Sequence, residues 1–485
     1  MAAAEPLEPA GTPSPPPAYE TTVTALRLSR PLADVPSTVT VMPREEIDRT
    51  PALAVDDLVR AIPSAGTFRR TPSLTADPTS QGLNLRGIGP SGVSRALVLV
   101  DGLPANDPFG GWVYWRALPR LSIDRIEVAP GGTSALYGNF AMGGVVQMIS
   151  RPIADRVEAD AAYGSRNTLT GGASVAGRMG TLGGALEAEG LSSDGYVPVR
   201  ASQRGAIDEA ADSRHAAVNA RVAAALGGSK RLGASGRLFD ERGNGGTRFT
   251  TARVRTADFG LTFDAASDRA GKLSAWAFGG VARFEQSRAR VAADRASEER
   301  AAAQEVPSTS QGAAVLWSSP NWHAAGTHTM MAGADVRRID GHAEEMVHPA
   351  PAMTTAMSVV GRKSGGEQHF AGLFAQELYE PLSWLAVSLA GRVDLWKTLD
   401  GEGTVRRNDG SSKTTPFPDR NAAELSPRLG LLFRPTARTR VRATAYRAFR
   451  IPTLNELYRP FQVGTILTAA NEDLDSEHLI GATWG

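Results

Sequence analysis

At 485 residues, the chain has room for about two to four ordinary domains, or for one small domain joined to a long single β-barrel. Its 52 Lys and Arg balance 51 Asp and Glu, a formal charge of +1, which excludes bulk electrostatic partnership with nucleic acid or an anionic surface. There is no Cys, so thiolate metal sites, disulfides and Cys nucleophiles are excluded together. No apolar run approaches the roughly 20 residues of a membrane-spanning helix, but barrel strands need only about 9 to 11 residues with one face wet.

Met1 to Pro17 holds six prolines and no apolar core behind a basic segment, so no secretory signal is visible. Residues 1–36 read as a flexible leader with one short extended run, Thr21 to Leu26. Residues 37–152 read as a small α+β domain. Val39-Thr40-Val41 is β-rich, Arg44-Glu45-Glu46-Ile47 starts a helix, and Ala54, Leu58, Val59 and Ile62 recur at helical spacing until Pro63. Strands are expected at Leu83 to Leu85, at Ala96 to Val100 ahead of an Asp101-Gly102 turn, at Ile123 to Val128, and at Val145 to Ile149.

From 153 to 485 the helical signal gives way to alternation. Leu385, Val387, Leu389, Val393 and Leu395 share one strand face; Ser388, Arg392 and Asp394 share the other. Val157, Ala159, Ala161 and Tyr163 oppose Arg156, Glu158 and Asp160, and Val441, Ala443 and Ala445 oppose Arg442 and Thr444. Short turns such as Asp268 to Lys272 are expected to alternate with long polar loops, including Gln286 to Gln311 and Thr398 to Ala423. A soluble β-sandwich or propeller alternates too, and alternation alone does not separate it from a membrane barrel.

The separating signal is a series of blocks: Leu85-Arg86-Gly87-Ile88, Val98 to Pro104, Ile126-Glu127-Val128, Ser134 to Gly138, and Gly143 to Val146. In order and spacing they resemble the plug of TonB-dependent outer-membrane receptors. Leu425 to Gly430, Phe449 to Tyr458 and Asn471 to Leu474 resemble blocks of the receptor barrel, and Glu20, Thr21, Thr22, Val23, Thr24 and Ala25 resemble the TonB box. The resemblance implies a transmembrane antiparallel β-barrel with an α+β plug in its lumen, in the outer membrane of a Gram-negative bacterium. It implies energised import of a ferric siderophore, cobalamin or similar metal chelate, with TonB and its inner-membrane complex as partner and outer-membrane lipid as surroundings. A passive, substrate-specific plugged porin is the alternative. An extended leader segment would bind TonB by adding a strand to its sheet.

Relatives usually place Arg-Gly-Pro after the Ile-Glu-Val block. Pro130-Gly131-Gly132 stands there instead, leaving Arg86 as the expected plug contact to the wall. Ligand contacts are expected from plug apices, around Ser91 and from Asn106, Asp107, Phe109, Trp112, Tyr114 and Trp115, with packing of the aromatics against the wall as the alternative. No catalytic set, cofactor or metal site is expected. His342 and His348 are six apart in an expected loop, which does not match a helical zinc pair. Residues 153–485 at about 20 to 24 per strand supply about 14 to 16 strands against roughly 22 in relatives, so a partial barrel ending early at Gly485 is expected.

Overall fold

The computed structural model describes residues 22–27, 30–69, 71–89, 93–350, 354–436, 438–463 and 466–485. The N-terminal unit is built on a five-stranded sheet of β1 (Thr40–Pro43), β2 (Ala96–Val100), β3 (Leu103–Pro104), β4 (Ile123–Pro130) and β5 (Gly144–Ser150), in the order β1-β4-β5-β2-β3. All its pairs are antiparallel except β2 with β5. Helices α1 (Arg44–Arg49) and α2 (Val55–Arg60) cover it, as the helical spacing predicts. Ile47, Leu58 and Val59 pack with Leu83, Leu85, Val98, Val128, Val146 and Trp115 in one core. A third short helix, α3 (Ser134–Tyr137), follows the Gly131-Gly132 turn. At Gly144 φ is +132° and a Cβ would lie 2.3 Å from the Ala129 carbonyl oxygen, so only glycine lets β5 begin beside β4.

Fourteen consecutive antiparallel strands form the second unit. They are β6 (Arg156–Gly164), β7 (Thr168–Met179), β8 (Leu182–Tyr196), β9 (Ala211–Ala225), β10 (Lys230–Asn244), β11 (Thr251–Ser267), β12 (Gly271–Val291), β13 (Glu298–Ser318), β14 (Thr327–Val347), β15 (Val359–Leu382), β16 (Leu385–Arg407), β17 (Arg420–Phe433), β18 (Val441–Arg450) and β19 (Glu477–Trp484). The sheet curls around the first unit, which touches it from β7 through to β19. Its path ends at β6 and β19, which do not pair with each other among the described residues.

The alternation is that of a lipid-facing wall. Leu389, Val393 and Leu395 are exposed outward, whereas Ser388, Arg392 and Asp394 are buried against the lumen. Val157, Leu238, Phe259, Leu373 and Ile480 continue the outer apolar band. Trp317, Trp322, Trp384 and Trp484 are exposed near the rim where the connections between strands are short, the arrangement of an interfacial aromatic girdle. The expected long loops are shorter than their polarity suggested. Gln286 to Gln311 is mostly β12 and β13, and Thr398 to Ala423 is mostly β16, Ser412–Pro416 and β17. There the hairpins carry polar side chains on both faces, so apolar alternation stops while backbone pairing continues. His342 accordingly lies in β14 and not in a loop. A second difference is the short helix α4 (Leu454–Tyr458) between β18 and β19.

Candidate functional site

The plug is tied to the wall by many polar contacts, among them Arg116 to Glu241 on β10 and the Arg120 N–H to Glu189 on β8. Arg95 bridges to Glu477 at 2.7 Å, and Glu477 also binds Arg450, which pairs with Glu456 at 2.7 Å. Ser134 Oγ donates to the Phe449 carbonyl at 3.3 Å and accepts the Phe449 N–H at 3.2 Å, while the Ile451 N–H donates to Asn139 at 2.9 Å. Arg428 reaches from β17 to the Gly132 carbonyl and to Ser37. The wall's own arginine thus contacts the turn where the usual plug arginine is missing. Gly138, at φ +68°, sits against the Arg392–Asp394 pair, whose oxygen a Cβ would approach to 2.8 Å. Arg86, expected to make the wall contact, is exposed, and none of its side-chain bonds to the wall is found among the described residues. Its backbone, at φ +55°, turns the chain after Leu85.

On the side of β9 to β14 the interface is layered. Toward the rim of longer connections lies a basin of about 1240 Å³, lined among others by Arg253, Gln286, Gln304, Glu345, Arg362 and Lys363. Its charges are partly paired, Arg362 with Glu345 at 2.8 Å and Lys363 with Glu344 at 3.5 Å. Beneath it an apolar septum joins Phe109, Trp112 and Tyr114 of the plug to Phe239, Val254, Phe284, Val306 and Ile339 of the wall and to Leu454, Leu457 and Tyr458 of α4. Trp112 meets Phe284 edge-on at 6.1 Å between centroids. Below the septum a narrow cleft of about 80 Å³, lined by Asn106, Asp107 and Tyr114 with Arg337 and Asp258, shares Leu103, Arg221 and Phe278 with an inner cavity of about 700 Å³. Successive inward positions on single strands mark the layers: Gln286, Phe284 and Ala282 on β12, and Ala252, Val254 and Thr256 on β11.

The hairpin that carries the septum aromatics is braced from within. The Asp107 carboxylate accepts from the Gly110 N–H at 2.7 Å and from the Tyr114 hydroxyl at 2.9 Å. Asn106 bonds to Val98, Ala96 and Gly111. Burial pushes Asp107 up to about 6 despite these donors, and pushes the Tyr114 hydroxyl up as well. The hairpin is tied to α4 by the Asn455 N–H, which donates to the Phe109 carbonyl at 3.1 Å.

At the opposite mouth the leader is docked. Thr22–Val23 pairs with Arg30–Pro31, and the N–H groups of Thr24 and Ala25 both donate to the buried Glu127 carboxylate, at 2.6 and 2.7 Å. The Arg27 guanidinium lies between the rings of Tyr137 and Phe374, at 4.6 and 4.5 Å, and burial lowers its pKa. Thr24 and Arg27 line the inner cavity. The described part of the segment expected to be loose is therefore held in place, because a buried carboxylate supplies acceptors for its backbone.

Of the residues expected at the ligand, Ser91 lies outside the described residues, as do Glu20 and Thr21 of the leader segment. Asn106, Asp107, Phe109, Trp112, Tyr114 and Trp115 are all buried, and none lines the outer basin. Trp115 belongs to the plug's own core, separate from the septum. Sequence reading missed the Glu127 clasp and the Arg116 contact to Glu241 and Ser213. A carboxylate between Ile126 and Val128 in a buried strand was the available signal for the first.

The TonB-dependent Receptor Plug Domain family matches residues 31–145, and the TonB dependent receptor-like β-barrel family matches residues 190–480. The vitamin B12 transporter BtuB of Photobacterium profundum is 31% identical over 184 residues, 36% of this chain and 28% of the relative. That of Vibrio vulnificus is 32% identical over 128 residues, 26% and 20% of the two chains. The matched stretches thus span less than a third of these relatives' lengths. Among solved structures, the closed form of the ferric-catecholate import receptor Fiu from E. coli K12 superposes with a TM-score of 0.73 at 17% identity, covering 97% of this chain and 74% of that one. The hemophore receptor HasR of Serratia marcescens gives 0.71 at 18%, covering 92% and 68%. With a plug closing the lumen of an antiparallel, lipid-facing wall and family matches over both units, the chain belongs to the TonB-dependent receptors.

Proposed function

We propose that the chain imports a scarce metal chelate, of the ferric siderophore or cobalamin kind, across the outer membrane of a Gram-negative bacterium, powered through TonB. The observation that carries this reading is the pairing of a large outward basin above a closed septum with an extended leader segment clasped at the opposite mouth. A receptor needs the first for capture and the second as a handle for an energised partner, and no covalent step is required. A passive plugged porin has no use for the clasped segment. Ligand first meets the basin. The aromatic hairpin contacts it only after the septum opens, so Trp112→Ala and Tyr114→Ala should leave first capture intact and alter uptake. The test is binding and uptake of labelled vitamin B12 and ferric enterobactin in a knockout strain with and without the restored gene. Capture and accumulation of at least one probe support the reading, and binding and uptake of neither overturns it.

A further inference from the structure

Just above the septum, three guanidiniums on the basin floor, those of Arg288, Arg362 and Arg459, face the two carboxylates of Glu345 and Asp77. Gln286, Gln304, Glu345 and Arg362 stand directly opposite one another across β12 to β15. They face the lumen, because Phe284, Val306 and Ala343, two positions below them on β12, β13 and β14, belong to the septum. Arg459, the residue after α4, reaches this row and donates to the Gln304 amide oxygen, and to Asn455 Oδ1 at 3.3 Å. Arg288 donates to the same Gln304 oxygen at 3.4 Å and to Gln286 at 3.1 Å. Two guanidiniums thus converge on one uncharged oxygen. The nearby carboxylates are engaged elsewhere, Glu345 with Arg362, and Asp77 with the Gln286 amide and the Thr79 N–H and hydroxyl. Among the described residues the bonds of Arg459 go to the two amide oxygens and to no carboxylate. Burial, with Arg288 beside it, lowers the Arg459 pKa to about 10 despite Glu345 and Asp77.

An amide oxygen offers these cations only a partial charge, and an oxyanion in its place makes a stronger bond to each. Arginine also favours planar groups with two oxygens, which its fork of N–H donors matches. We propose that Arg288, Gln304 and Arg459 form an anion subsite on the basin floor, where a carboxylate, phenolate or similar oxyanion of the incoming chelate displaces the Gln304 amide oxygen and takes both guanidiniums. This rests on the import reading and narrows it to a negatively charged chelate, such as a ferric catecholate or ferric carboxylate complex. An uncharged corrinoid brings no group for this point. The Gln304 amide, released from the two guanidiniums, is itself a donor to the same anion. Glu345, held by Arg362 at 2.8 Å, does not compete for the vacated position.

The test is equilibrium binding of three probes to the full chain: ferric enterobactin and ferric citrate, both anionic, and vitamin B12, which carries no net charge. The wild type is compared with Arg459→Gln, Arg459→Lys and Lys413→Gln, the last removing an exposed charge from the Ser412–Pro416 strand. The expected result is that the wild type binds at least one anionic complex about tenfold or more tighter than vitamin B12, and that Arg459→Gln weakens that binding about tenfold or more. Arg459→Lys, which keeps the charge, loses less, and Lys413→Gln changes affinity by less than about twofold. Vitamin B12 bound as tightly as either anion, an Arg459→Gln affinity within about twofold of the wild type, or equal losses in Arg459→Gln and Arg459→Lys overturns the subsite and leaves the import reading standing. A wild type that binds none of the three probes overturns both.

Discussion

Glu127 sits fully buried in β4 and accepts two leader N–H groups and the Arg125 Nε at 2.9 Å. Charge-assisted hydrogen bonds of this kind contribute about 1.5 to 3 kcal/mol each. Glu127→Gln keeps the shape but removes the charge and one accepting oxygen. The leader should then undock at least about tenfold more often, read as increased mobility of a spin label at Thr22; an unchanged spectrum would contradict the clasp. Asp107 makes a second prediction at this scale. Its folded pKa, about 6, lies above the ordinary 3.8. A carboxyl raised on folding stabilises the folded hairpin fully below its unfolded value, and that contribution is lost as pH rises through the folded value. The Asn106 to Tyr114 hairpin should therefore be tighter at pH 4 than at pH 8 by up to about 3 kcal/mol. Hydrogen exchange of its amides should show this slope, and Asp107→Asn should flatten it. A slope that survives the substitution assigns the effect to another group.

The element that sequence reading missed, α4, was announced by its own chemistry. Thr453 accepts from the Glu456 N–H, and Glu456 accepts from the Thr453 N–H at 2.9 Å, a capping box spelled by Thr-x-x-Glu after Pro452. Alternation on both flanks hid it. Thr453→Ala should cost about 1 kcal/mol locally and raise exchange at Leu454 to Tyr458; no change there would mean that Leu454 and Leu457 in the septum hold the helix unaided. Other elements were legible for physical reasons. The helical spacing of Leu58, Val59 and Ile62 and the strict alternation of β16 each bury one face and so leave a periodic trace. The contacts that set the site were not legible. Arg428 lies 296 residues from the Gly132 it grips, and no local pattern reports a bond formed across the lumen. The Asn106 to Trp115 aromatics were visible as a cluster, but whether they would face ligand or wall depended on Phe239, Phe284 and Ile339 from three separate strands.

At the scale of the molecule, a plug is tied by polar contacts into a lipid-facing wall, borders an inner cavity, and lies beneath an outer basin. A clasped leader stands at the far mouth. On the proposed import reading, energy arrives from TonB, which would add a strand to the backbone of Glu20 to Ala25. Proline at position 23 removes a backbone donor and fixes φ, so Val23→Pro should impair that pairing without touching the basin. The most direct measurement is accumulation of labelled vitamin B12 or ferric enterobactin against a gradient in cells carrying the wild type, Val23→Pro, or a deletion of Glu20 to Ala25, with surface binding measured in parallel. The account predicts full binding in all three and accumulation in the wild type alone. Accumulation that persists in the deletion would contradict it.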